Sequence, residues 1–504
     1  MSFEFLKHIF KNIKKLDFEV NDYNKVVKSP YMPAIAYVNW GIYLADAGDF
    51  KGAEHKLVSS TLMAHQTPEA YINLGVLRLL EHKYEEAEEF YIKAIRLDNE
   101  NAKAYCFWGN LLTEKKDYNN AEKKFAKALK IQPNNSDTVL NWGIALMRQG
   151  KFKQAKEKFQ QACKLNSSNF TALYFLGLVD IELGEFDNAK AKFKMITTIV
   201  NNHYESFYYL GYIYYRENDY ENSISYSLKS LQIYTKKIET YMLLAENYMN
   251  LSNESECFKY YELGAQECNI NYYFLISWGM SLQKFGRYDE SKDKFHKSIE
   301  FEAKNELAFV YLGLAYYKTN DYDNAISFMQ KTLALNFQNV LALDGLGQIN
   351  FDLKNYKEAI KYFSLVLKYS AKSVENYQKI ANAYFFDENI PKAKEYYQKA
   401  VEYQPEAVQV YVDYAKFLLE INDYEQALKK LQNANRLDDK DVECLDLLFY
   451  ANYLLAKKNI SDYNVERAME VAQRIEKDYP DSFRYIEEKK ELEARLNSKN
   501  QERQ

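Results

Sequence analysis

AIAYVNWGIYLADAGDFKGAEHKLVSSTLMAHQT, residues 34–67, contains two small residues that set the register of the whole chain: Gly41, in the phrase NWGIYL, and Ala53. Stepping by 34 residues from Gly41 gives Gly75, Gly109, Gly143, Gly177, Gly211, Ala245, Gly279, Gly313, Gly347, Ala381 and Ala415. The same step from Ala53 gives Ala87, Ala121, Ala155, Ala189, Ser223, Cys257, Ser291, Ala325, Ala359, Ala393 and Ala427. Both columns hold only small residues, with no insertion or deletion over twelve units. A fixed period of this length is the mark of a repeat architecture.

We number each unit so that Gly41 is position 8 and Ala53 position 20. The units then run 34–67, 68–101, 102–135, 136–169, 170–203, 204–237, 238–271, 272–305, 306–339, 340–373, 374–407 and 408–441. Position 4 is always large and apolar, from Tyr37, Tyr71 and Tyr105 to Tyr411. Position 17 is aromatic in ten of the twelve units, Glu254 and Ile390 excepted, and position 24 is Phe, Tyr, Leu or Met except at Ser227. Positions 4, 7, 8 and 11 share one face of a helix, and positions 20, 24 and 27 share a face of a second. Small residues at 8 and 20 let the two backbones approach while the bulky columns fill the space around them. A single helix pair cannot bury its apolar face alone, so the units must stack.

The composition agrees. Hydrophobic residues make up 47% of the 504 residues, aromatics 16% and charged residues 27%, enough for a core and unlike a disordered chain. With only 16 Gly and 7 Pro there is little material for turns and linkers, while 46 Tyr and 30 Phe supply packing rings. Length alone suggests three or four domains at about 100–200 residues each; the register replaces these with one repeated element. A net charge of −5 argues against broad nucleic-acid binding, which needs a basic face. The five cysteines, Cys106, Cys163, Cys257, Cys268 and Cys444, are scattered with no CxxC, as expected of free thiols in a reducing compartment. No run approaches the length of a membrane span, and the N-terminus lacks a secretory apolar core, so the cytoplasm is the expected location. The Asn-x-Ser/Thr triplets at Asn166, Asn169 and Asn250 carry no weight in an Asn-rich chain.

This pattern resembles the tetratricopeptide repeat family: the 34-residue period, the aromatic at 4, Gly or Ala at 8, the aromatic at 17, Ala at 20, Phe or Tyr at 24 and a small residue at 27. The proline of that pattern at position 32 is kept only at Pro133 and Pro405. The resemblance covers residues 34–441 and implies an all-α fold, an α-solenoid in which antiparallel helix pairs form a right-handed superhelix. The pentatricopeptide alternative, an RNA reader, fails on its 35-residue period and on the acidic balance. Residues 1–33 are expected to form N-terminal capping helices. Within them, residues 3–16 are amphipathic and serve either as a cap on the first repeat or as a membrane-surface anchor. Residues 442–480 read as a degenerate thirteenth pair, with Ala468 and Pro480 keeping the spacing of positions 20 and 32 after an extra loop around Lys458–Asn464. Residues 481–504 read as a charged terminal helix and tail.

No catalytic constellation is evident. The histidines His8, His55, His65, His82, His203 and His296 lack metal-ligand spacing, and there is no HExxH, Walker A loop or GxGxxG, so no metal, no cofactor and no enzymatic activity are expected. Cys257 lies in the small column and reads as a packing residue, and pairs such as Glu85–Glu86 and Asp438–Asp439 read as solvated charge.

In the resembling family the first helices line the concave face through positions 2, 5, 6, 9, 12 and 13. Here those columns hold 13 acidic and 7 basic residues, the basic ones being Lys103, Arg148, Arg216, Lys284, Lys318, Lys379 and Lys416. A family use that grips a carboxylate tail needs Lys at position 5, which no unit has; Asn110, Asn141 and Lys103 match it only singly. A ladder of asparagines at position 6, which in the family holds a peptide backbone for sugar-transferring enzymes, is partial: Asn39, Asn73 and Asn141. The groove columns are richest in aromatics at Tyr174, Phe175, Tyr208, Tyr209, Tyr212 and Tyr215, with Tyr273, Tyr311, Tyr317, Phe351, Phe385 and Phe386 further on. These rings are either a binding patch or packing between repeats. The expected role is a non-catalytic interaction scaffold that binds an extended peptide or a helix of another protein. The alternatives are an accessory subunit recruiting substrates to a separately encoded enzyme, such as a glycosyltransferase or an envelope-assembly machine, and a peripheral membrane adaptor acting through residues 3–16.

Overall fold

The structure is a computed structural model that describes residues 34–62, 68–459, 462–479 and 482–502. The expected capping helices at 1–33, the amphipathic stretch 3–16 and Pro480 lie outside the described residues. Helices joined by short turns make up the described chain, with no strand among those residues, and the fold is an all-α solenoid.

Repeat 3 shows how each unit is built. Its first helix is Ala102–Glu114 and its second Tyr118–Ile131. The pair recurs 34 residues apart, for example as Phe170–Glu182 and Phe186–Ile199, and as Val408–Glu420 and Tyr424–Leu437. Asparagine starts many of the first helices: the Asn101 side chain accepts from the Ala104 N–H at 3.0 Å and Asn135 from Thr138 at 2.8 Å. Asn169 accepts likewise from Ala172 at 3.0 Å, so its place in the sequence is explained by capping. The turn between the helices closes with two reverse bonds. Lys116 N–H donates to the Thr113 carbonyl at 3.1 Å and Asp117 N–H to that of Leu112 at 2.8 Å, which satisfies the carbonyls orphaned at the helix end.

The glycine at position 8 packs directly on the ring at position 24 of its own repeat. A Cβ at Gly143 would lie 2.6 Å from Phe159, and one at Gly109 2.6 Å from Phe125. The opposite side of that ring often carries the position-6 side chain of the next repeat. Phe159 stacks on Phe175 with centroids 5.7 Å apart, Phe193 on Tyr209 at 5.5 Å and Phe295 on Tyr311 at 6.0 Å. Three groove-column rings, Phe175, Tyr209 and Tyr311, therefore use one face for packing between repeats.

Position 23 helps pair the two helices of a repeat. Where it is lysine and position 7 is a ring, the ammonium covers that ring, and all four tryptophans of the chain are held so: Lys56 over Trp40, Lys124 over Trp108, Lys158 over Trp142 and Lys294 over Trp278, at 3.6, 3.2, 3.8 and 3.5 Å. In repeats 6, 7 and 9 it is aromatic and stacks on an aromatic at position 11 instead: Tyr226 on Tyr214, Tyr260 on Tyr248 and Phe328 on Tyr316, each within 4° of parallel. Repeat 5 makes the polar version, with Lys192 on the buried carboxylate of Asp180 at 2.7 Å. Cys257 is fully buried in the small column.

The described residues divide into two compact units, one ending at Asn269 and the other beginning at Ile270. In the second, the chain after repeat 12 differs from expectation. Helices Val442–Asn459 and Asp462–Asp478 have 18 and 17 residues, so Lys458, Asn459 and Asp462–Asn464 are helical where a loop was expected. The run LLAKKN has good helix formers and no breaker, so the added residues lengthen the helix. The last helix, Ile486–Glu502, begins after Phe483 and Tyr485 have docked on Phe449 and Tyr450, with ring centroids 4.9 and 4.5 Å apart.

Candidate binding groove

Tyr204–Arg216, the first helix of repeat 6, carries Glu205, Tyr208, Tyr209 and Tyr212 at i, i+3, i+4 and i+7, which is one face of a helix. Tyr174 of repeat 5 meets this face. Its ring lies 6.0 Å from Tyr209, 5.3 Å from His203 and 5.6 Å from Phe175, each edge-on. Tyr208 and Tyr209 are 5.0 Å apart. These four tyrosines, Phe175 and Tyr215 are all half-buried. Tyr212 accepts from Arg216 Nη1 at 2.9 Å, and Tyr215 accepts from Asn250 Nδ2 at 3.5 Å. Tyr174, Phe175, Tyr208, Tyr209, Tyr212 and Tyr215 are thus brought into one run along repeats 5 and 6.

Two neighbours of this run lie outside the groove columns. His203 and Lys237 occupy position 34, the cap of the following first helix, where asparagine is usual. The Lys237 ammonium is 4.1 Å from the centre of the Tyr208 ring, 5.5 Å from Tyr209 and 5.6 Å from Tyr204, and its side chain makes no cap bond. The turn between repeats 6 and 7 places it over the rings. Its one sequence signal is the departure from asparagine at position 34.

The field here is negative. Burial pushes the Tyr208 phenol up, reinforced by Tyr209, Glu239 and Glu246. Tyr209 is raised by burial, and the carboxylates of Glu239, Glu205 and Glu182 add to it. Among the described residues Glu182 and Glu239 have no Lys or Arg within ion-pair distance, and Glu205 has only His203 Nδ1, at 3.8 Å. Elsewhere some of the groove charges are paired, while Lys103, Lys284 and Lys318 have no ion pair among the described residues. Arg148 pairs with Glu114 at 2.6 Å, Lys379 with Asp344 at 2.8 Å and Glu375 at 2.9 Å, and Lys416 with Glu443 at 3.0 Å.

The asparagines are placed differently. Asn73 is buried and donates to the Glu69 carbonyl one turn back at 2.7 Å, leaving its Oδ1 without a partner. Asn141 donates to Cys106 Sγ at 3.4 Å, and Asn39 is half-buried. Asn110, at position 9 of repeat 3, is 1% exposed, and neither atom of its amide has a hydrogen bond. In the second compact unit, Tyr311 packs on Phe295, and the Tyr317 hydroxyl donates to Asp352 Oδ2 at 2.8 Å. Among the described residues no group of three or more His, Cys, Asp or Glu side chains is arranged to hold a metal, and no helix is long and apolar enough to cross a membrane.

Family models match along the chain. Models described as tetratricopeptide repeats match residues 68–101, 204–237 and 386–448; the cytochrome c-type biogenesis protein H TPR domain matches 93–207; and anaphase-promoting complex, cyclosome, subunit 3 matches 292–366. The chain is a tetratricopeptide repeat protein. No curated relative matches this tetratricopeptide repeat protein. Solved structures similar to it include the APC/C hetero-tetramer Cut9–Hcn1, at 13% identity over 85% of this chain and 97% of that one, with a TM-score of 0.39. Yeast Tom70 is similar at 14% identity over 88% and 99%, TM-score 0.38, and the type IV pilus biogenesis factor PilW at 18% over 40% and 92%, TM-score 0.37.

Proposed function

We propose that this protein is a non-catalytic scaffold that binds an extended peptide or a partner's helix along the first helices of its repeats. The observation that carries this reading is the tyrosine run of repeats 5 and 6. Half-buried rings offer large contact area at little cost in side-chain entropy, and their hydroxyls add polar contacts. Tyr174, Tyr208, Tyr209, Tyr212 and Tyr215 are the proposed contacts, with Phe175 supporting them from the stack on Phe159. The scattered cysteines without CxxC favour the cytoplasm as the place of action. The test is affinity capture followed by mass spectrometry with the wild type and with Tyr208, Tyr209 and Tyr212 replaced by Ala. Loss of specific partners is expected, with the helical circular dichroism unchanged; retention of every partner would sink the reading.

One observation favours the second reading, an accessory subunit that presents peptide substrates to a separate enzyme. Asn39 and Asn141 are half-buried at position 6, the ladder position, and an amide can both donate to and accept from a peptide backbone.

A further inference from the structure

Lys237 stands where the repeat ordinarily places a capping asparagine. A cap bond stabilises a helix start, and this helix goes without one while the ammonium sits among three tyrosine rings. A cation over the faces of several aromatic rings is attracted by their quadrupoles, and more strongly when partly desolvated. Glu205 stands on the same helix face as Tyr208 and Tyr209, and Glu239 lies in the first turn of the next first helix. Neither carboxylate is neutralised by a Lys or Arg ion pair among the described residues. Arg216 and Lys237 are the nearby cations, against Glu182, Glu205 and Glu239. The site is therefore built for positive charge and carries more negative charge than the chain supplies.

We propose that repeats 5–7 bind an extended segment of a partner protein through a Lys or Arg side chain, received over Tyr208 and Tyr209 in place of Lys237 and flanked by Glu205 and Glu239. This rests on the groove reading above and names the chemistry of its partner. Lys237 acts as the resident occupant: it keeps the rings covered in the free protein and swings out to solvent when a partner cation enters.

The test uses the full chain and an array of immobilised random-sequence 12-residue peptides. Captured peptides should be enriched in Lys and Arg, and replacing the key cation by norleucine should weaken binding by roughly five- to thirtyfold, the span of a cation–π contact. Glu205→Gln with Glu239→Gln, two changes that keep size and exposure, should weaken binding and flatten its salt dependence. Lys237→Met should tighten it. Captured peptides that need Tyr208 but are acidic or wholly apolar, or norleucine peptides that bind as well, would overturn the cation assignment while leaving the groove reading standing. Peptides indifferent to Tyr208→Ala, or none captured at all, would overturn both. A Lys237→Met variant with unchanged or weaker binding would remove the displacement step.

Discussion

Lys116, Lys354 and Glu388 have φ of 60°, 61° and 58°, a region that L-residues with a side chain normally avoid. They share position 15 with Gly48, Gly150, Gly184 and Gly286 and with Asn218, Asn320 and Asn422. Every repeat turns from its first to its second helix through a left-handed residue at this place, because only that conformation returns two N–H groups to the carbonyls at the helix end. A Cβ at Gly184 would meet nothing within 4 Å, so a substitution there changes backbone conformation and little else. Gly184→Ala should cost about 1 kcal/mol, and Lys116→Gly should recover a comparable amount. Urea unfolding midpoints check both, and opposite signs would show that the turn is unstrained. The column is hard to read from sequence. Gly and Asn mark seven of its positions, but His82, Lys116, Ser252, Lys354 and Glu388 hide it.

Between helices, the choice made at position 23 distinguishes the repeats. A lysine there covers each tryptophan at position 7, and in repeats 6, 7 and 9 an aromatic there stacks on an aromatic at position 11. In repeat 3, Lys124 stands 3.2 Å from the Trp108 ring centre, and burial lowers its pKa. A double-mutant cycle of Trp108→Phe with Lys124→Met should return a coupling of about 0.5–2 kcal/mol. A coupling near zero would mean that the ammonium only rests on the ring. The tryptophans and lysines are plain in the sequence, but their meeting depends on how far one helix rotates against the other. The same rotation decides that Phe175 and Tyr209 present one face to the preceding repeat, which the groove columns alone left open.

At the scale of the molecule, each repeat touches mainly its neighbours, so damage should stay local. Gly143→Leu would drive a side chain into the Phe159 ring, which a Cβ alone would approach to 2.6 Å. The overpacking cost is at least about 1–3 kcal/mol. Hydrogen-exchange protection should fall in repeats 3 to 5 and persist in the compact unit that begins at Ile270; a uniform loss along the chain would contradict nearest-neighbour coupling. The sequence by itself determined the period, the helix pairing and the small and bulky columns. These follow from one local rule repeated without a gap, since side chains 3 and 4 residues apart share a helix face. The tertiary structure alone decided which tyrosines are stacking partners. It also decided that Lys237, an unremarkable turn residue in the sequence, lies over the rings. Those features depend on the angles between helices, which small packing differences set and no periodic pattern encodes.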